Sequence, residues 1–252
     1  MAHADDGRSR AAMSPSSGTV LGTVAGDLAT ASLDMARRFA AGATMWCAAP
    51  QWPSHAQHLA VEFVHPVIVG KRALPAVAVE GGDLVSMLRI VSSSGDLFVA
   101  VAGADEPAVG AAMRRAPAWG LRSIWIGTGA RPAAGAADHV LWLDADIAES
   151  AYGGGFVLVY HLLWELTHVC FEHPGLLSIP AVGDAEECHD EVCITCSDEG
   201  RLAEVITTGP GSHARVRTSA GVEAIDTTLI GTPQPGDLVL VHAGSAVTTI
   251  EG

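Results

Sequence analysis

The run Leu97-Phe-Val-Ala-Val-Ala102 decides the fold. It is a short apolar segment between two stretches of helical period, 83–91 and 107–119. The same alternation extends to either side of it. Further strands are expected over 44–48, 74–79, 123–126 and 139–143, and further helices over 18–41, 54–65 and 155–171. Strands alternating with helices predict a parallel sheet covered on both faces, a three-layer α/β sandwich.

Beyond residue 173 the pattern changes. Residues 174–192 hold Pro174, Gly175, Pro180 and Gly183, then Asp184, Glu186, Glu187, Asp190 and Glu191, which reads as an acidic linker. No segment of helical period follows. Five strand-like runs, 202–207, 214–218, 223–229, 238–242 and 247–250, are separated by glycine-containing turns. So short a segment cannot cover both faces of an open sheet, so the strands are expected to close into a small all-β, OB-like barrel. The expected organisation is a disordered tail over 1–17, an α/β domain over 18–173, the linker over 174–192 and the barrel domain over 193–252.

Composition narrows the function classes. The 252 residues are 49% hydrophobic, which is core material enough for two modest domains. A net charge of −14 argues against nucleic acid, because phosphate binding needs clustered Lys and Arg. It argues against anionic membrane surfaces for the same reason. Residues 1–17 are polar and lack the apolar stretch of a signal peptide. The most hydrophobic segment, 155–171, is broken by His161, Glu165 and His168, so it is expected to be a buried helix and not a membrane span. There are five cysteines, and Cys188, Cys193 and Cys196 are close together. An odd count with that clustering favours a reducing, cytoplasmic setting and metal or thiol chemistry over disulfides. Cys47 and Cys170 lie in apolar runs and are expected to be inert core residues.

Cys193-Ile-Thr-Cys196 alone fits a redox pair, half of a zinc site or an iron ligand. With Cys188 and His189 it supplies four ligands to one structural zinc. Two later runs, Asp226-Thr-Thr-Leu-Ile-Gly231 and Pro235-Gly-Asp-Leu-Val-Leu-Val-His-Ala-Gly244, complete a pattern. In this order the three motifs resemble the HypC/HupF family of hydrogenase-maturation chaperones. The resemblance implies a HypC-type barrel whose cysteine holds iron carrying cyanide and carbonyl, an Fe(CN)₂CO unit. Cys193 stands at the place of that cysteine, with Cys196 as the alternative; a thiolate is a soft ligand suited to ferrous iron. His242 matches the family's histidine and would be a second ligand, a hydrogen-bond donor near the iron or a structural residue at a strand end. The implied partners are a HypD-like maturation protein and the large-subunit precursor of a nickel-iron hydrogenase.

The first part of the chain carries a second set of motifs: Ala56-Gln-His-Leu-Ala-Val-Glu-Phe-Val64, Arg72-Ala-Leu-Pro-Ala-Val77, Gly95-Asp-Leu-Phe-Val99 and Val159-Tyr-His-Leu-Leu-Trp-Glu-Leu166. These resemble the sugar isomerase (SIS) fold, most of all phosphoheptose isomerases. The resemblance implies an acid–base pair, Glu62 and His161, that shuttles a proton between adjacent carbons. It also implies homo-oligomers formed through this domain. The phosphate-binding loops of those enzymes are replaced here by Ala48-Ala-Pro-Gln-Trp-Pro-Ser54 and Ala102-Gly-Ala-Asp-Glu-Pro107. Phosphate is cradled by N–H and O–H donors at helix N-termini, whereas Asp105 and Glu106 would repel it. The pair is therefore read as vestigial: His58 and Glu62 share a helix face and pair with each other, and His161 and Glu165 do likewise. The expectation that results is an accessory chaperone of hydrogenase maturation. Its alternative is an isomerase or sugar-phosphate binder using Glu62 and His161.

Overall fold

The computed structural model describes residues 17–144, 154–178 and 200–250. Residues 1–16 of the expected tail, most of the expected linker, and Cys188, His189, Cys193 and Cys196 lie outside the described residues.

The first sheet is parallel. Its strands are β1 (Met45–Ala48), β2 (Ala76–Ala78), β3 (Leu97–Val101), β4 (Arg122–Thr128) and β5 (His139–Leu143), in the spatial order β2-β1-β3-β4-β5. The central strand β3 is buried at every position, as a strand covered on both faces must be. One cover consists of α1 (Ser17–Ala40), α2 (Pro53–Val64) and α5 (Gly154–Glu172), which pack Met35, Phe63, Phe156, Tyr160 and Leu163 against Val99 and Ile124. The other consists of α3 (Leu84–Val91) and α4 (Pro107–Arg115), which pack Leu88, Val109 and Met113 against Phe98 and Ala100. The three layers are those the alternation of runs predicts.

Local chemistry sets the boundaries. Pro53 opens α2, where its missing N–H costs nothing and its fixed φ fits the helix. Asp83 caps α3 by accepting from the Val85 N–H at 3.1 Å. The strand expected over 74–79 shrinks to Ala76–Ala78, because Pro75 has no N–H to add to a ladder. The helix expected over 107–119 ends at Arg115, and turns carry the chain to Gly120 at φ +72°. At the N-terminal edge of the sheet, Asp96 binds three donors: the Thr44 and Ser93 N–H groups at 2.8 and 2.9 Å and the Trp46 indole at 2.9 Å. Helix α5 is long and apolar enough to cross a bilayer, but Phe156, Val159, Tyr160, Leu163 and Trp164 are buried in the α/β core. It is the buried helix the sequence predicts.

The second sheet is a closed five-stranded barrel. Its strands are β6 (Arg201–Thr208), β7 (His213–Thr218), β8 (Gly221–Asp226), β9 (Leu238–His242) and β10 (Ser245–Ile250), ordered β10-β8-β7-β6-β9. All pairings are antiparallel except β10 with β8. Closure leaves no unpaired edge. Small and branched side chains fill the interior, among them Ala203, Val205, Val216, Val239 and Ala246. The β9–β10 hairpin turns on Ala243 and Gly244, both at positive φ, the geometry that matches strand twist in a two-residue turn. The strand expected over 223–229 stops at Asp226, which accepts from the Thr228 N–H at 2.7 Å and so starts a turn.

The barrel docks on the α3–α4 face through one carboxylate. Glu204 on β6 is 2% exposed. It receives two hydrogen bonds from Arg89, at 2.6 and 3.1 Å, and one from the Trp119 indole at 2.7 Å. The Arg115 guanidinium lies 3.4 Å away and also donates to the Gly236 carbonyl. The charge-assisted hydrogen bonds that Arg89 donates to Glu204 in turn raise the pKa of Arg89. Leu238 joins the apolar cluster of this face, and Arg217 donates to the Arg89 carbonyl at 2.8 Å. Removing the carboxylate leaves two half-buried guanidinium groups and a buried indole N–H without their partner. Glu204→Ala should therefore lower unfolding free energy by about 1–3 kcal/mol, measured by urea denaturation; a loss below about 0.5 kcal/mol would mean the junction does not depend on this residue.

Candidate functional site

Helix periodicity places His55, His58 and Glu62 on one face of α2. That face meets α5, where Tyr160 and His161 are adjacent. His58 Nε2 lies 3.1 Å from Glu62 Oε1. His161 Nε2 lies 3.3 Å from His58 Nε2 and 3.4 Å from the same Glu62 oxygen. Three ligand-type atoms from two helices thus converge on one point.

The surroundings fix the rings. Tyr160 Oη is 2.8 Å from His58 Nδ1 and 3.4 Å from His55 Nδ1. Burial, with the nearby Glu62 charge second, pushes the Tyr160 phenol well above its ordinary pKa, so it stays protonated. The phenol can donate to His58 Nδ1, which leaves the His58 Nε2–H for Glu62; in the opposite tautomer it accepts from Nδ1–H. His55, deeper between Trp52, Phe156 and Tyr160, is held below the ordinary histidine pKa, first by burial and then by the His58 charge.

The group could hold a metal ion. Ligands about 2.0–2.1 Å from a tetrahedral zinc stand roughly 3.3–3.4 Å from one another. The three observed separations, 3.1, 3.3 and 3.4 Å, are close to such edges. Two imidazoles and a carboxylate form a donor set suited to zinc and similar divalent ions, and Tyr160 is positioned to orient His58 from behind. At the start of α2 a cavity of about 250 Å³ opens beyond the ends of β1 and β2, lined by Pro50, Pro53, Val79 and Glu80 among others.

The structure brings Glu62 and His161 together, as the acid–base reading requires. The His58–Glu62 pair is present as expected, but His161 makes its polar contacts across the helix pair with His58 and Glu62, not with Glu165 one turn on. Cys193 and Cys196 lie outside the described residues. His242 is partly buried at the end of β9, where it pairs with Ser245; among the described residues it belongs to no group of three metal-ligating side chains. Cys47 and Cys170 are buried, and burial raises both thiols, which suits inert core residues. Sequence reasoning missed the roles of Tyr160 and His55; their signals were the position next to His161 and the spacing of three and seven residues before His58 and Glu62.

No family model matches the chain, and no curated protein matches it by sequence. Solved structures do. A phosphoheptose isomerase from Francisella tularensis superimposes with a TM-score of 0.50 at 15% identity, covering 57% of this chain and 86% of its own. The α/β part has the sugar isomerase fold. A phosphoheptose isomerase from Neisseria gonorrhoeae gives 0.48 at 16% identity, covering 58% and 87%. The sugar isomerase domain of an RpiR transcription factor from Sphaerobacter thermophilus gives 0.41 at 16%, covering 64% and 92%. These likenesses bear on the sugar-isomerase part and leave the HypC/HupF resemblance untouched.

The lowered His55 pKa has a pH signature. The folded chain favours the neutral ring, so full stability is retained above about pH 6.5, the ordinary histidine value. Below it the unfolded chain takes up the proton first, and stability falls toward the lowered folded-state pKa. Denaturation midpoints should drop on acidification through this window, and His55→Gln should flatten the drop; an unchanged slope in that variant would assign the acid limb to other groups.

Proposed function

We propose that the α/β part carries a working acid–base site of the carbohydrate-isomerase type. The observation that supports this is the convergence of Glu62, His161 and His58 within 3.4 Å from two separate helices. Helix packing alone does not require a carboxylate and two imidazoles to face one another. Moving a carbonyl to the adjacent carbon needs a base to remove the intervening C–H proton and an acid to protonate the carbonyl oxygen. Glu62 takes the first role and His161, the most exposed of the three, the second. His58, oriented by Tyr160, fixes the Glu62 carboxylate. A divalent ion on these three side chains would replace this proton relay, since a metal-bound His161 Nε2 has no proton to give; the ion would then itself polarise the substrate carbonyl.

The test is proton exchange. Incubated in deuterated water with a panel of aldoses and ketoses, the protein should incorporate deuterium beside the carbonyl of its substrate. Glu62→Gln should slow incorporation by about 10²- to 10⁴-fold. Wild-type rates in that variant would remove Glu62 from the chemistry.

A second reading is favoured by the closed barrel that follows. A small closed barrel with His242 at the end of β9 is the form expected of a HypC-like carrier. In this reading the chain works in the cytoplasm as an accessory chaperone of hydrogenase maturation. Cys193, or Cys196, holds an Fe(CN)₂CO unit with His242 in support, as cargo passed between a HypD-like protein and the large-subunit precursor. The sugar-isomerase part then serves for self-association or for binding a ligand or partner. Protein purified without oxygen should show infrared bands in the cyanide and carbonyl stretching region that vanish in Cys193→Ala. No bands, together with zinc bound by the cysteines, would replace the carrier with a structural zinc site.

A further inference from the structure

The cavity at the start of α2 is enclosed by the C-terminal ends of β1 and β2 and the first turns of α2, α3 and α4. Helix N-termini gathered around one cavity ordinarily make an anion site, because free N–H groups and the positive ends of the helix dipoles point into it. Here the chain removes or occupies those groups itself. Both α2 and α4 begin with proline, Pro53 and Pro107, so each lacks an N–H at its first position. The Ala108 N–H of α4 is capped by the Glu106 carboxylate at 3.3 Å, and the Val85 N–H of α3 by Asp83 at 3.1 Å. The Gly103 N–H, in the loop after β3, is taken by Gln51 Oε1 at 2.9 Å, from the loop after β1.

That last contact joins the two loops. A Cβ on residue 103 would stand 2.6 Å from Asp105 Oδ1, on an exposed side chain that can turn away, and 3.4 Å from Gln51 Oε1. Glu80 is the one charged residue lining the cavity; the rest of the lining is alanine, proline, valine, leucine and glycine. A dianion entering it would meet the Glu80 carboxylate, and at Ala108 of the lining an N–H already taken by Glu106. At about 250 Å³ the cavity falls just below the usual range of small-molecule sites, roughly 300–1,000 Å³. Its apolar wall suits the C–H face of a sugar ring or chain, and Glu80 is an acceptor for hydroxyl groups. Along α2, Glu62 stands about 9 Å beyond Ala56 of the cavity wall, within the span of a short carbon chain.

We propose that this cavity binds an uncharged, unphosphorylated carbohydrate, and that Gln51 and Glu106 set this selectivity by occupying the Gly103 and Ala108 N–H groups that a phosphate would need. The choice of a carbohydrate rests on the isomerase reading above; the exclusion of a phosphate ester rests on the cavity alone. The experiment is calorimetry on the full chain with fructose and sedoheptulose, each against its terminal phosphate monoester. The free sugars should bind at least about tenfold more tightly than the esters. In a variant carrying Gln51→Ser and Glu106→Ser, with its fold checked by circular dichroism, affinity for the esters should rise. Esters binding as tightly as free sugars in the wild type, no binding of either, or a folded double variant without gain would each overturn the proposal. Because binding is read without turnover, selectivity that persists in Glu62→Gln while deuterium exchange is lost, or was never present, separates this inference from the isomerase reading.

Discussion

The structure depends first on the burial of β3. A strand with both faces covered must have one layer of helices above and another below, and each layer must present a continuous apolar surface to it. On one side this requirement presses α2 and α5 into contact through Phe63, Phe156 and Leu163. Once those residues are seated, the opposite edge of the helix contact is fixed, and His58, Glu62, Tyr160 and His161 stand along it. The site is therefore a by-product of core packing in position, though not in composition.

On the other side of the sheet the cover is incomplete without the barrel. Leu238 of β9 lies in the same cluster as Leu88, Trp119 and Met113. Apolar contact alone gives such a junction little orientation, because the hydrophobic effect is non-directional. Glu204 supplies direction: a buried carboxylate must find its donors, and Arg89, Arg115 and Trp119 offer them at fixed places on α3, α4 and the turn that follows. In a chain of net charge −14, three arginines are gathered here around a single buried acid, with Arg217 opposite Glu204 in the β6–β7 ladder.

How much of this could be read from the chain follows from the range of each interaction. The alternation around Leu97–Val101 is local, and it gave the parallel sheet and its helices with ends displaced by a few residues. The barrel was legible for the same reason, since its turns carry their own glycines and its strands their own period. Glu62 and His161 were found through a resemblance, but periodicity alone could not show that His161 turns across the helix pair and away from Glu165. The Glu204 junction left no trace in the sequence: a glutamate in a short barrel strand reads as a solvent-facing residue until the opposing arginines are seen. The shortening of β2 is legible in Pro75, which has no N–H to add to the ladder.

The contact between α2 and α5 has a consequence for every residue beneath it. Successive residues on a helix are displaced by about 1.5 Å along its axis, and the three converging atoms tolerate far less than that before their mutual contacts are lost. Interiors packed at crystal-like density transmit small changes of volume to their neighbours instead of absorbing them. A methylene removed at Leu163 or Phe63, on the far side of either helix from any ligand, is thus a change in the spacing of His58, Glu62 and His161. Selection on the site would then act on apolar residues that never touch its contents, and variation across the α2–α5 contact would be correlated with the chemistry above it.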